Sequence, residues 1–251
     1  MIDIPPHPWL IAGLAFCVAF LYSSVGFGGA SGYLAVMSLF NITARVASTT
    51  ALVLNVCVAG VAFANYYRHG YLRWRLLWPF LITSIPAAFV GGALPVKQLT
   101  YQMLLNGILL FAGLRLLLLA QPQVEPEVEV RPPLWLMLFI GLVLGLISGI
   151  VGIGGGIFLS PLIVLARWGN AKQAAACAAG FIVLNSVSGL VGRASGGMLD
   201  LGSLGVILIP IGFIGGLLGS YLGAHYLGGR GVQRLLGIIL LIVALRFWLG
   251  R

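Results

Sequence analysis

Apolar residues run in long blocks along this chain, separated by short polar turns. The blocks cover about 9–40, 46–67, 76–94, 99–120, 134–166, 173–192, 201–227 and 232–249. The first run, from Pro8 to Phe40, is about 33 residues, or about 49 Å if wholly helical. A hydrocarbon core is only about 30 Å thick. Glycines sit near its middle, in Val25-Gly26-Phe27-Gly28-Gly29, and each costs a helix about 1 kcal/mol relative to alanine. The run 134–166 repeats the pattern at Val151-Gly152-Ile153-Gly154-Gly155. Opened backbone at membrane depth is tolerated only where it is buried in protein or lines a wet cavity. The pattern predicts two broken or re-entrant helices that face each other across a binding site.

The two halves match. The glycine stretches lie 126 residues apart, Leu54-Asn55 and Leu184-Asn185 130 apart, and Pro79/Pro210, Gln102/Gln233 and Leu114-Arg115/Leu245-Arg246 131 apart. Small loop insertions would account for the growth in offset. The predicted fold is an all-α polytopic membrane protein of two homologous halves, 1–120 and 134–251, joined by a Pro- and Glu-rich linker at 121–133. If each glycine block crosses once, the halves are parallel and the 14 Lys and Arg divide 8 to 6 between the two faces. If each block dips and returns, the halves are inverted repeats and the division is 9 to 5. The bias of Lys and Arg toward cytoplasmic loops favours inversion, with both termini outside.

Composition agrees. Hydrophobic residues make up 60% of the chain, charged ones 8%, and mean hydropathy is +1.08, more apolar surface than a soluble domain can hide. The net charge of +9 sits mostly between apolar blocks. No basic cluster is longer than 68–75, so nucleic acid is not an expected partner. The N-terminal residues lack a basic region and do not read as a cleaved signal. The place expected for the chain is the cytoplasmic (inner) membrane, multi-pass. Cys17, Cys57 and Cys177 fit neither a metal motif nor a disulfide framework and read as buried small hydrophobes.

The stretch Gly149-Ile150-Val151-Gly152-Ile153-Gly154-Gly155-Gly156-Ile157-Phe158-Leu159-Ser160-Pro161-Leu162 resembles the motif of the TauE/SafE family of sulfite and organosulfonate exporters. Ser24-Val25-Gly26-Phe27-Gly28-Gly29-Ala30-Ser31-Gly32 is a looser copy. The resemblance implies a transporter that exports, or sometimes takes up, small sulfur-containing or carboxylate anions. The family's Gly-Thr-Ser-like element reads Ser48-Thr49-Thr50 here in the first half and Ala178-Ala179-Gly180 in the second.

The physics of the break points the same way. A helix interrupted inside the membrane exposes a new N-terminus, whose free N–H groups and partial positive charge attract anions. Without side chains, Gly28, Gly29, Gly154, Gly155 and Gly156 let backbone approach an oxyanion closely. Ser31, Thr49, Thr50, Asn55 and Asn185 are the polar side chains expected beside it, the two asparagines as a pseudo-symmetric pair. Each has a plain alternative: tight packing for the glycines, interhelical bonding for the amides, and back-bonding for the hydroxyls. Arg45 and Lys172, placed just before matched blocks, could gather anions at the pore mouth or simply snorkel. Arg115 and Arg246, near block ends, are expected to snorkel.

Absences narrow the class. Asp3, Glu125, Glu127, Glu129 and Asp200 all lie in or beside loops, so a buried carboxylate proton relay is not expected. His225 is the one histidine within an apolar block and reads as interfacial. There is no His pair at metal spacing and no nucleophile beside a base, so neither an enzyme, a metal site nor a cofactor is expected. The expected function is a secondary transporter exporting sulfite, a sulfonate or thiosulfate. Partners are a small organic or inorganic anion and the lipid bilayer, with a homodimer left open. A passive anion channel would use the same residues. A non-transporting scaffold or subunit would use the glycines for packing alone.

Overall fold

The computed structural model describes residues 8–24, 28–118, 132–226 and 229–249, and these are helical apart from short turns. The helices are α1 (Pro8–Ser24), α2 (Ala30–Leu39), α3 (Ala44–Arg68), α4 (Trp74–Ala93) and α5 (Gln98–Leu118), then α6 (Leu134–Val151), α7 (Gly156–Leu165), α8 (Ala171–Ser195), α9 (Gly202–Tyr226) and α10 (Gly229–Leu249). Both overlong runs are broken, the first into α1 and α2, the second into α6 and α7. Residues 25–27 of the first break lie outside the described residues, as does most of the expected linker. α3, α4, α5, α6, α8 and residues 202–219 of α9 are each long and apolar enough to cross a membrane.

Glycines set how closely these helices approach. A methyl group added at Gly141, Gly145 or Gly149 of α6 would overlap the carbonyl oxygens of Phe80, Ser84 and Ala88 of α4 in turn. Both residue numbers rise together, so α4 and α6 run in the same direction. α8 joins them in that direction, with Gly192 against Phe89 and Gly196 against Ala93. On the other side Gly215 and Gly219 of α9 press on Phe16 and Phe20 of α1, and Gly212 and Gly216 on Leu54 and Val58 of α3. α1, α3 and α9 therefore share a direction, and α3 crosses α8 antiparallel, with Gly180 at Phe63 and Gly189 at Leu52. Each half thus lends its α4-type helix to the opening helix of the other. Close backbone contact of this kind holds helices together in lipid, where burial of apolar surface gives no driving force.

One cluster shows where α7 goes. Ile163 and Trp168, at and just beyond the end of α7, pack with Met137 near the start of α6, Leu77 and Phe80 near the start of α4, and Cys177 near the start of α8. α7 therefore returns to the end of the bundle from which α6 set out. In the first half Gly32 of α2 lies against Val18 and Tyr22 of α1, so that chain folds back on itself as well. The end where α4, α6 and α8 begin carries exposed Arg68, Arg73, Arg75, Arg167 and Lys172; we call it the basic end. Arg45 and Lys97 lie at the other.

Several expectations need correction. Residues 193–195 belong to α8 rather than to a polar loop, and Arg193 is 5% exposed. Arg115 does not snorkel: it is 4% exposed, inside the bundle near Tyr22. Arg246 is exposed, as expected. Cys17 faces outward, while Cys177 is buried and Cys57 half-buried. The side chain of His225 lies outside the described residues. The extra residues between Gly155 and Asn185 are not all loop: the turn after α7 is one residue longer than the turn after α2, and the rest lie within α8.

Candidate functional site

Two helix N-termini meet inside the bundle. α2 starts after Gly29 (φ 81°) and α7 after Gly155 (φ 73°), and neither start has a side-chain cap. A left-handed residue there is what lets the chain reverse without a Cβ clash, which is why glycine stands at both. Gly29 O accepts from Gly32 and Tyr33, and Gly155 O from Phe158 and Leu159. The N–H groups before those donors begin the helices without an intrahelical acceptor, as at any helix start. Gly152 (φ 88°) closes α6, donating from its N–H to Ser148 O.

A cavity of about 10 Å³ lies between the breaks, lined by Tyr22, Gly28, Gly29, Ala30, Ser31, Asn55, Ile153, Ile157 and Ile182. Ala30 and Ser31 belong to the first turn of α2 and Ile157 to the first turn of α7, so both helix starts border one space. Asn55, midway along α3 and fully buried, bridges the two breaks. Its Nδ2 donates to Gly152 O at 3.3 Å, and its Oδ1 has no partner among the described residues. A methyl at Gly28 would lie 3.5 Å from that Oδ1, and a methyl at Gly154 2.9 Å from Nδ2. Ser31 Oγ donates to the Tyr22 hydroxyl at 2.9 Å, leaving the tyrosine hydroxyl hydrogen free to turn elsewhere.

Of the sequence-predicted residues, Gly28, Gly29, Ser31 and Asn55 line this cavity, and Gly154 touches Asn55 and Ile182 beside it. Gly155 and Gly156 lie just behind, against Phe181 and Ile182. Thr49 and Thr50 are buried, with no hydroxyl partner among the described residues; Thr50 faces Gly205 of α9, away from the breaks. Asn185 does not join the group. Its Nδ2 bonds back to Phe181 O in its own helix. Asn55 follows Gly29 by 26 residues and Asn185 follows Gly155 by 30, about one helical turn more. The α8 side chains beside the breaks are Phe181 and Ile182, so the site is polar on the α3 side and apolar on the α8 side. Counting from the glycines, rather than matching the asparagines, would have found them.

A wider cavity opens at the end away from the basic one. It holds about 410 Å³ and is lined by the start of α3 (Thr43, Arg45, Ser48), the α4–α5 turn (residues 94–98), Tyr101, Ile150, Arg193 and Met198. Its floor is the C-terminal end of α6. There Tyr101 Oη donates to Val151 O at 3.4 Å, and Arg193 Nη2 donates to Gly149 O at 3.0 Å and Ile150 O at 2.8 Å. Arg45 lines this cavity. Lys172 stands at the opposite end, where its ammonium donates to Tyr71 Oη at 3.2 Å over the same ring. Tyr22, Tyr101 and Arg193 were not foreseen as site residues. Among the described residues no group of His, Cys, Asp and Glu could hold a metal ion.

Residues 11–247 match the protein family described as Sulfite exporter TauE/SafE. The chain is similar to a protein of Sinorhizobium fredii (strain NBRC 101917 / NGR234) named "Probable membrane transporter protein y4hK", with 32% identity over 92% of this chain and 94% of that protein. No solved structure matches the chain.

Proposed function

Because the chain belongs to the Sulfite exporter TauE/SafE family, we propose that it is a secondary transporter moving a small sulfur-containing oxyanion, such as sulfite, a sulfonate or thiosulfate, out across the cytoplasmic membrane. The observation that carries this reading is the meeting of the α2 and α7 starts at one buried cavity, with Asn55 between them. Two helix starts supply convergent N–H donors and partial positive charge without an ionisable side chain. That suits a small anion that must be released again. A cavity of about 10 Å³ holds one water at most. The anion therefore enters only when the bundle moves, which favours a carrier over a passive channel.

In this reading the halves are inverted repeats. Each hairpin returns to the end it left, which leaves α3, α4 and α5 as the crossings of the first half and α8, α9 and α10 as those of the second. The basic end then faces the cytoplasm, and the 410 Å³ cavity opens outside. Access alternates as one set of helices rocks against the other around the breaks.

The test is flux in proteoliposomes with a panel of sulfite, thiosulfate, methanesulfonate and acetate, under imposed pH gradients and in counterflow. The reading expects saturable flux of at least one sulfur oxyanion, with counterflow. Acetate flux alone would overturn the substrate class. Flux without counterflow would make the protein a channel.

A further inference from the structure

We propose that the 410 Å³ cavity is a second anion site, separate from the helix breaks, in which Arg193 anchors the acid head of a short organic anion. The inference rests on the transporter reading but concerns different residues. Three cations line this space, Arg45, Lys97 and Arg193, and no acidic residue does. Arg45 and Lys97 are exposed and solvated, whereas Arg193 is 95% buried, with 5% of its surface accessible. A buried charge is costly unless it is paired or fully hydrogen-bonded. Arg193 is only partly satisfied: Nη2 serves the Gly149 and Ile150 carbonyls, and the buried Nε has no partner among the described residues. A guanidinium has five N–H donors, and the two bonds leave others for an anion.

The rest of the wall states the size and character of the guest. Thr43, Ser48, Gln98 and Tyr101 bring polar groups, while Leu94, Pro95, Val96, Ile150 and Met198 form an apolar side. The volume is in the range of small-molecule sites and far above what a bare oxyanion fills. A sulfonate or carboxylate head with a short hydrocarbon tail fits both surfaces. Arg193 then joins the anion to the end of α6, because the same guanidinium holds the Gly149 and Ile150 carbonyls in its last turn. An anion caught here sits beside Ile150, in the last turn of α6.

Equilibrium binding of radiolabelled ethanesulfonate to the full-length protein in nanodiscs tests this. Wild type is compared with Arg193→Gln, Arg193→Lys, the double change Arg45→Gln with Lys97→Gln, and Gly28→Ala, which adds one methyl beside Asn55 at the breaks with ordinary contacts. The expected result is dissociation constants raised about tenfold or more by Arg193→Gln and by Arg193→Lys. A smaller, salt-dependent rise is expected for the double change. Gly28→Ala is expected to weaken sulfite binding at the breaks while leaving ethanesulfonate binding intact. Sulfite should compete more weakly than ethanesulfonate. Unchanged binding in both Arg193→Lys and the double variant would overturn the site, whatever becomes of Arg193→Gln. Binding lost only in Gly28→Ala would likewise overturn it while leaving the central reading in place.

Discussion

The glycines of this chain do two different jobs, and single substitutions separate them. Gly29, Gly152, Gly154 and Gly155 have left-handed backbone, which costs any other residue about 1–2 kcal/mol. Gly152 is the worst placed, since a methyl there would lie 2.8 Å from Ser48 O and 2.9 Å from Ser48 Cα. Gly152→Ala is therefore expected to lower the melting temperature markedly. Valine at Gly29 or Gly155 mixes strain with loss of the site for the same reason. Gly28 is the cleaner probe. Its backbone is not left-handed, and an added methyl would meet Ala59 and Ile182 at 3.4 Å and Asn55 at 3.5 Å, ordinary contacts. Gly28→Ala is expected to keep the wild-type melting temperature while weakening sulfite binding about tenfold. Equal binding with equal stability would assign Gly28 to packing alone. Arg115 shows what single-residue reading misses: its place three residues from a helix end suggests a snorkelling cation, yet the neighbouring helices enclose it.

At the scale of elements, the breaks could be foreseen because length is counted directly: a 33-residue apolar run does not fit a bilayer as one helix. The pairing of helices could not, since it depends on which glycine stripe faces which backbone. Gly141, Gly145 and Gly149 recur every fourth residue and so form one face of α6, but only the fold shows that α4 covers it. Gly149→Ala would drive a methyl into Ala88 O and toward Gly92 N at 2.7 Å. It is expected to force α4 and α6 apart, reducing the yield of monodisperse protein on size exclusion. Gly107→Ala in α5 has nothing within 4 Å and is expected to raise stability, by up to about 1 kcal/mol. A similar response from both positions would contradict the packing described. The same limit explains Asn185. A sequence match aligned it with Asn55, but three of the extra residues lie inside α8 and carry it one turn past the breaks.

At the scale of the whole molecule, the account turns on hairpins that return to the end they left. In a variant lacking Cys17, Cys57 and Cys177, Trp135→Cys at the start of α6 and Arg167→Cys just after α7 should react with an impermeant thiol reagent from the same side. Lys97→Cys should react from the other. Labelling of positions 135 and 167 from opposite sides would make α6 and α7 a single crossing and the halves parallel. The expected duplication was read from rare residues that keep their order along the chain. The unequal roles of the halves were not, since they arise from Asn55 in one half facing Ile182 in the other. Central to the proposal is that main-chain N–H groups at the two helix starts hold the anion. Hydrogen–deuterium exchange of the reconstituted protein with and without saturating sulfite measures this directly. The account predicts slowed exchange in peptides covering 28–33 and 154–159 together. Unchanged exchange in both, under conditions where sulfite is transported, would contradict it.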